Sequence, residues 1–480
     1  MTEGKDPASL TLEPEIMRAL GYRVVDMLVE HFQGVRNKPA SATASRAEME
    51  PRLREAPPEQ GRDPFAVLER LERDVFAKAM HNLHPRFFAF VPGPSNFVGA
   101  MGDALAAGYN VIAATWLEAA GPVQLELVTI DWLRQICGLP ETAGGLFVSG
   151  GTMANLTALA TARKAKLGER LGEAVIYCSD QVHGSNTKNL GILGFRADQV
   201  RKVPSDAAFR LDAAALSDVV AEDRAAGRQP FCVIGTAGST NTGAVDPLPA
   251  IADLCRAEDL WFHIDGAYGA PAVLTGEGKA KLRGLELADS LAIDPHKWLF
   301  QPFEIGCVLV RERRWLPQTF ALWQEYLQDT GVAAEANGEV NFCDYGVQLT
   351  RGFRALKLWL SIQVFGLAAF REAIARGLAA AVRAEALIRA DPRFDIVTPA
   401  ELGIVTFRYR PRTAGDDADA LQKAIIEAAI QDGYTMSGTT VLRGRNVLRL
   451  CTINPRTTDD DLRGTIELLG RLGDELSAAS

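Results

Sequence analysis

Two short runs decide how this chain folds: Trp261-Phe262-His263-Ile264-Asp265-Gly266-Ala267-Tyr268 and, downstream, Asp294-Pro295-His296-Lys297-Trp298. Each run offers a reactive group where an apolar, strand-like stretch ends. In parallel sheets such ends meet at one edge, so we expect the Asp265 carboxylate and the Lys297 amine to lie close together. An amine can bind an aldehyde as a Schiff base, and a carboxylate can keep a pyridine ring protonated. The two runs therefore predict an α/β fold with a site for pyridoxal phosphate (PLP).

Each run also has a rival interpretation. His263 and Asp265 lie two residues apart on one strand and share a face, as metal ligands would. No third ligand is evident in the sequence, so we expect no metal. Lys297 could be a solvated surface residue, but the apolar stretch Trp298–Phe300 that follows it favours a buried amine.

The composition is that of an ordinary enzyme of about two or three domains. The chain has 480 residues, of which 47% are hydrophobic and 23% charged, and its net charge of −9 argues against general affinity for nucleic acid. The first ten residues lack the pattern of a signal peptide, and no apolar run is expected to span a membrane. Seven cysteines without paired spacing predict free thiols. A cytoplasmic location follows as an expectation.

The pattern along the chain predicts three parts. Apolar residues recur at helical spacing from Leu12 to Phe32 and again after Asp63-Pro64, with a proline-containing linker between the two helices. These helices need the main body or a partner chain to cover them. Strands and helices then alternate from about Gly138, which indicates a largely parallel sheet. The predicted parts are an N-terminal helical segment (1–85), a large domain (86–365) and a small C-terminal α/β domain (366–480). Within the large domain, residues 329–338 are expected to form a mobile surface loop.

Other candidate residues follow the predicted strands. Ser149-Gly150-Gly151-Thr152 lies between a strand and a helix, where glycines and free N–H groups can hold a phosphate. A plain tight turn explains the same four residues equally well. His183 follows the next strand and can stack on a ring or donate a proton.

Taken together, these runs resemble the PLP-dependent group II amino-acid decarboxylases. The resemblance extends over most of the chain and is carried by an ordered series of motifs. The series is HPRFFAF (84–90), ANL (154–156), SDQVH (179–183), HIDGAYG (263–269), ADS (288–290), DPHKW (294–298) and FRALKLW (353–359).

The resemblance implies the PLP-dependent transferase-like fold type I, a homodimer with swapped N-terminal helices, and active sites at the dimer interface. It implies decarboxylation of an L-amino acid, with aromatic ones first, to the amine and CO₂. Lys297 would bind PLP covalently, Asp265 would pair with the ring nitrogen, and His183 and Ala267 would contact the two ring faces. The remaining cofactor-binding candidates are Gly151, Thr152, Thr236, Asp294 and His296.

The chain also departs from the family pattern. Family members protonate Cα with a loop tyrosine, and an ungapped count back from Arg351 puts Phe342 at that position. A shifted alignment offers Tyr345 or Tyr326 instead. Phenylalanine at this position is typical of plant relatives that form aldehydes, so aldehyde synthesis is an alternative function. Asp294 replaces a common asparagine, and a carboxylate near a phosphate is unfavourable unless it is protonated or turned away.

Residues expected to contact the substrate also differ from those typical of aromatic decarboxylases. Val91 and Ala114 stand where aromatic decarboxylases often have phenylalanines, and no arginine besides Arg351 and Arg354 suggests itself for an acidic substrate. Decarboxylation of a non-aromatic amino acid, an aminotransferase and a PLP-binding protein without catalysis are further alternatives. The candidate substrate residues are Phe90, Val91, Pro92, Trp116 and Thr350.

Overall fold

The structure is a computed structural model, and it describes residues 10–322, 338–411 and 417–479. Tyr326 and the expected surface loop at 329–338, apart from Gly338, lie outside the described residues. The proton-donor candidate Tyr326 therefore stays a prediction from the sequence.

The N-terminal part is helical. Its helices are α1 (Pro14–Gly34), α2 (Arg46–Leu53), α3 (Pro64–Asp74), α4 (Phe97–Gly108) and α5 (Trp116–Ile136). The predicted helices correspond to α1 and α3, and Asp63 caps α3 by accepting a hydrogen bond from the Ala66 N–H. The expectation of an unstructured linker is wrong in part, since α2 forms there. Ser45 and Glu48 make the reciprocal hydrogen bonds of a capping box, which starts this short helix.

A seven-stranded sheet forms the centre of the large domain, in the order β1-β7-β6-β5-β4-β2-β3. The strands are β1 (Gly144–Val148), β2 (Ala174–Ser179), β3 (Val200–Val203), β4 (Gln229–Thr236), β5 (Trp261–Asp265), β6 (Ser290–Ile293) and β7 (Gly306–Val310). Strands β3, β2, β4, β5 and β6 run parallel, whereas β7 is antiparallel to both of its neighbours. The sheet is thus mixed but mainly parallel, as the alternating pattern predicts.

Helices connect these strands and cover the sheet. They are α6 (Gly151–Leu167), α7 (Gly184–Ile192), α8 (Ala213–Ala225), α9 (Leu248–Ala257), α10 (Gly276–Lys281) and α11 (Trp315–Phe320). Strand β5 is buried along its whole length. Because β5 lies between β4 and β6, its carboxyl end has a neighbouring strand on each side.

The C-terminal part is a smaller α/β unit. A four-stranded antiparallel sheet has the order β10-β11-β9-β8 and packs against long helices. Its elements are α12 (Ala355–Ala390), β8 (Phe394–Glu401), β9 (Ile404–Tyr409), α13 (Ala418–Asp432), β10 (Gly438–Leu442), β11 (Arg445–Cys451) and α14 (Asp459–Ala479). Strands β8 and β10 had no expectation from the sequence. The predicted fold class, α/β with a large and a small sheet domain, is confirmed.

Helix α12 joins the two sheet units. Gly366, at φ 71°, interrupts its helical geometry, and the predicted domain boundary at 365/366 falls at this break. By length and composition α12 is apolar enough to cross a membrane. Its buried residues Leu358, Ile374 and Leu378 belong to the same core as the large sheet, which accounts for the apolar composition. The three domain ranges themselves remain a prediction.

Candidate active site

The carboxyl ends of the central strands surround a cavity of about 500 Å³. Asp265 ends β5 and Thr236 ends β4, and the two are register partners in adjacent parallel strands. The segments that follow β1, β2 and β6 complete the wall. The sequence-predicted residues that line this cavity are Phe90, Val91, Gly151, Thr152, His183, Thr236, Asp265, Ala267, Asp294, His296 and Lys297.

Lys297 lies in the turn after β6, and its side chain is 23% exposed. Its Nζ is 2.7 Å from Oδ2 of Asp294, so the amine has a buried carboxylate beside it. The ion pair arises because the turn between Asp294 and Lys297 is closed by a backbone hydrogen bond from Lys297 N–H to Asp294 C=O.

Asp265 is 6% exposed and acts as a hydrogen-bond acceptor on several sides. Its Oδ2 accepts from Asn155 Nδ2 at 3.0 Å and from Asn186 Nδ2 at 2.7 Å, and its Oδ1 accepts from the Ala267 N–H at 3.2 Å. These three donors fix the position of the carboxylate at the cavity wall. There it can accept a hydrogen bond from a protonated ring nitrogen.

The metal interpretation of His263 finds no support in the described part of the chain. No group of three potential ligands occurs there. Both ring nitrogens of His263 already have partners, Ser290 and Asn155. Burial lowers the pKa of His263 to about 4, so the ring is neutral at physiological pH.

The turn after β1 requires glycine, because a side chain at Gly150 or Gly151 would collide with residues of the cavity wall. A Cβ on Gly151 would lie 2.7 Å from Asp294 Oδ2, and a Cβ on Gly150 would lie 3.0 Å from His296 Cε1. The turn opens directly into α6, whose N-terminus provides free N–H groups and a positive dipole end. This arrangement favours the phosphate-binding interpretation over a plain tight turn.

Two buried polar atoms near this turn lack protein partners. Thr236 Oγ1 and Asp294 Oδ1 are buried and have no hydrogen bond within the described residues, although both side chains line the cavity. His296 lies 3.5 Å from Asp294 Oδ2, and burial lowers its pKa while Asp294 opposes that shift. Unsatisfied buried groups are costly. The Thr236 hydroxyl can donate a hydrogen bond, so together with the glycine turn, the Lys297 amine and the Asp265 carboxylate it fits a phosphate-bearing pyridine aldehyde, whereas Asp294 Oδ1 can only accept.

His183 caps helix α7 at the mouth of the cavity. Its Nδ1 accepts a hydrogen bond from the Ser185 N–H and lies 2.8 Å from Ser185 Oγ. These bonds fix the orientation of the ring and leave Nε2 free to carry a proton.

Several sequence-predicted residues do not line the cavity. Pro92 is buried, Trp116 packs against the main core, and Thr350 is exposed at the surface. Tyr345 is half-buried with its ring against that of Phe342, and burial raises its pKa. Within the described chain, none of these side chains contributes to the cavity wall.

Phe342, the residue that the ungapped count puts at the position of the proton donor, does not line the cavity. It has no exposed surface, and the Arg351 guanidinium covers its ring at 4.8 Å. Its buried position argues against contact with a substrate, and the assignment stays a prediction from the sequence. Arg351 in turn forms a buried ion pair with Glu126 at 2.6 Å, so it does not serve an acidic substrate.

Other residues of the site were not predicted. Asn155 and Asn186 hold Asp265, and Tyr268 and Glu304 line the cavity. Asn155 follows the glycine turn on α6 and lies one helical turn from Gly151. This spacing from the glycine turn is the sequence signal that could have identified Asn155 as a site residue. Nothing in the sequence shows that its amide points toward β5.

Comparison of the chain with known proteins identifies its family. Residues 47–410 match the family described as the pyridoxal-dependent decarboxylase conserved domain. The chain belongs to this family and is a PLP-dependent amino-acid decarboxylase by class.

Its relatives narrow the class further. An aromatic-L-amino-acid decarboxylase of Bacillus atrophaeus is 46% identical over 98% of both chains. A solved structure described as Oryza sativa TDC with PLP and tryptamine superposes with a TM-score of 0.92 at 28% identity, covering 98% of this chain and 100% of the other. A Rhodiola rosea 4-hydroxyphenylacetaldehyde synthase superposes with a TM-score of 0.89 at 26% identity, covering 97% and 99%.

Proposed function

We propose that the protein decarboxylates an aromatic L-amino acid to the corresponding amine and CO₂. The observation that carries the proposal is the meeting of Lys297, Asp265 and the glycine turn in one cavity. The similarity over nearly the whole chain to the Bacillus atrophaeus aromatic-L-amino-acid decarboxylase supports the aromatic substrate class.

We infer the role of each residue from its place in the cavity. Lys297 would hold the cofactor through its amine, and Asp265 would accept a hydrogen bond from the ring nitrogen. His183 and Ala267 would contact the ring, and the turn at Gly151 would bind the phosphate. Thr236, Thr152 and His296 would supply further polar contacts. The bound cofactor supplies an electron sink for the bond that breaks at the substrate Cα.

Asp294 has a particular place in this proposal. Its Oδ2 faces the Lys297 amine, so the carboxylate is turned toward a cation. An anion next to a phosphate is unfavourable, and pairing with a cation reduces that repulsion. Asp294 therefore partners the amine whenever Lys297 is released from the cofactor.

The described wall of the cavity suits an uncharged side chain. No arginine lines it within the described residues, and Glu304, which does line it, is paired with Arg354. Arg354 lies outside the cavity wall, with Glu304 3.6 Å away and Gln348 as its hydrogen-bond partner. Phe90 is 65% exposed at the cavity mouth and offers an aromatic surface. An amino acid with an acidic side chain would find no arginine among the described residues of this wall, so glutamate and aspartate are disfavoured.

The amine is the proposed product. Aldehyde synthesis was motivated by Phe342, and the burial of Phe342 argues against it. Tyr345 is half-buried away from the cavity. We therefore propose Tyr326, which lies outside the described residues, as the group that returns a proton to Cα.

The test is a product assay. Purified enzyme with PLP is incubated in air with each of the common amino acids and DOPA, and amines, aldehydes, CO₂ and peroxide are measured. We expect amine and CO₂ in equal amounts from one or more of tryptophan, tyrosine, phenylalanine and DOPA. Aldehyde with peroxide would replace this proposal by aldehyde synthesis. No release of CO₂ from any aromatic substrate would refute the aromatic assignment.

We also propose a homodimer in the cytoplasm. Helix α1 buries none of its residues, and Met17 and Tyr22 are 47% and 69% exposed. Such a helix needs a covering surface, and a second copy would provide it. Free cysteines throughout the described chain suit a reducing compartment.

Light scattering during gel filtration tests the dimer. Tyr22→Asp should shift the enzyme toward monomer, while Val382→Asp on helix α12, at a residue 57% exposed, serves as a matched control. A wild-type protein that elutes as a monomer would exclude the dimer. Fractionation of the native cell with an antibody to the protein tests the location.

A further inference from the structure

A continuous set of buried polar side chains runs underneath Asp265, and the proposed function assigns no role to it. Its members are Trp261, Ser290, His263 and Asn155, each at most 1% exposed. Polar groups buried to this extent are tolerated only when their hydrogen bonds are satisfied. Each of these side chains is hydrogen-bonded to the next, and the last one, Asn155, is bonded to Asp265.

The chain of hydrogen bonds begins at Trp261, whose Nε1–H can only donate. It donates to Ser290 Oγ at 2.8 Å. The hydroxyl proton of Ser290 is then free to point at His263 Nδ1, 2.9 Å away. The hydroxyl can also accept, so the direction of this bond is set from the other end of the chain. The Asp265 carboxylate accepts from Asn155 Nδ2, so the Asn155 oxygen faces His263 Nε2 and requires a donor there.

The single proton of the neutral imidazole must then be on Nε2. Burial lowers the pKa of His263 to about 4, so the ring carries one proton at neutral pH. Nε2–H donates to Asn155 Oδ1 at 3.0 Å, and Asn155 Nδ2 donates to Asp265 Oδ2, also at 3.0 Å. With the amide turned over, its oxygen would face the carboxylate and its NH₂ group would face the imidazole N–H. That arrangement sets acceptor against acceptor and donor against donor.

The same amide also reaches the second functional side chain. Asn155 Nδ2 lies 3.4 Å from Ser185 Oγ, and Ser185 Oγ lies 2.8 Å from His183 Nδ1. One amide orientation thus serves both Asp265 and His183, which lie on different elements of the fold.

We propose that His263 is a positioning residue for PLP: its Nε2–H fixes the Asn155 amide, which in turn holds Asp265 and His183 ready for the cofactor ring. The inference rests on the proposed pairing of Asp265 with the ring nitrogen. His263 touches neither cofactor nor substrate, since it lies outside the residues that line the cavity.

Two amide substitutions form a matched test. In His263→Gln the side-chain amide extends as far as Nε2 and can still donate to Asn155. In His263→Asn it extends only as far as Nδ1, so the donor is lost while a polar group of the same kind remains. Tyr177→Phe controls for the general cost of losing a buried hydrogen bond. It removes a bond of 2.9 Å from Tyr177, in strand β2, to Asp223.

The main readout is the ¹⁵N chemical shift of the ring nitrogen in labelled PLP bound to the apoenzyme, with PLP affinity measured by fluorescence quenching. We expect His263→Asn to shift the nitrogen signal toward the unprotonated form and to weaken PLP binding by up to about tenfold, the upper scale for a hydrogen bond between two neutral groups. The value of kcat should fall by a similar factor with KM within about twofold. His263→Gln should keep most of the wild-type nitrogen shift, PLP affinity and kcat, because it retains the donor. Tyr177→Phe should leave all three unchanged.

Specific results would overturn the inference. A ring nitrogen that stays protonated in His263→Asn would remove the positioning role, as would His263→Gln behaving like His263→Asn. An unprotonated nitrogen already in the wild type would instead refute the pairing of Asp265 with the ring. If His263→Asn fails to fold, Asn155→Ala breaks the same connection at its next member and should give the same shift of the nitrogen signal.

Discussion

Arg351→Met tests the buried ion pair that supports the glycine turn. Arg351 Nη2 lies 2.6 Å from Glu126 Oε1 and also donates to the Phe147 carbonyl, while Nη1 donates to the carbonyl of Ala113. Glu126 Oε1 accepts from the Phe147 N–H. Phe147 is in β1, which leads directly into the turn, so the pair satisfies both backbone groups of a residue near the cavity.

The expected magnitude follows from burial. The side chains of Arg351 and Glu126 are 1% and 0% exposed, so removal of the guanidinium leaves a carboxylate without its partner in the core. Breaking a buried pair in this way costs about 3–5 kcal/mol. At about 2.1 cal/mol/K per residue, 480 residues give an unfolding entropy of about 1 kcal/mol/K. The midpoint of thermal unfolding should therefore fall by about 3–5 °C.

Differential scanning fluorimetry of the apoenzyme at a fixed scan rate measures this shift. The double variant Glu126→Leu/Arg351→Met should recover part of the loss, because it leaves no unpaired charge. Arg196→Met, which breaks an ion pair exposed on both sides, should change the midpoint little. A single variant within about 1 °C of the wild type, or a double variant less stable than the single one, would refute the reasoning.

The remaining predictions concern the cofactor, the thiols and pH. Lys297→Ala should abolish turnover and the covalent PLP adduct that borohydride reduction and mass spectrometry detect in the wild type. Gly151→Ala should weaken PLP binding at least about tenfold, because its methyl group would lie 2.7 Å from a carboxylate oxygen, whereas Gly172→Ala has open space and should not. All seven cysteines are buried with raised pKa values, so a thiol reagent should label the native enzyme slowly and the denatured enzyme at seven positions. Burial raises the pKa of Asp246 to about 6, so the folded state binds the extra proton and stability should fall as pH rises from about 4 to about 6. Asp246→Asn should show a weaker pH dependence in that window, measured by thermal unfolding.

Much of the fold could be predicted because it depends on local patterns. Strand β5 and the turn with Lys297 follow from apolar runs that end in a reactive group. Helix α1 follows from residues at helical spacing. The capping box at Ser45 and Glu48 is also a local signal, although it lies between prolines that favour a linker.

Non-local features had weaker signals. Strand β8 alternates buried and exposed residues irregularly, and β10 alternates regularly but has only one buried residue, so their partners set their extent. Phe342 shows the same limit for the site, because an ungapped count along the chain placed it at the proton donor. Only packing against Arg351 and Tyr345 reveals that it belongs to the core.

Contiguous motifs were enough to predict the family, the α/β class, the cofactor and the choice of Lys297 and Asp265 as site residues. Which groups surround these two side chains depends on the tertiary structure. Asn155 and Asn186 are 110 and 79 residues from Asp265 along the chain, yet their amides meet its carboxylate. Hydrogen-bond direction and burial depend on which strands and helices are neighbours in space, and no local pattern of residues encodes those distances.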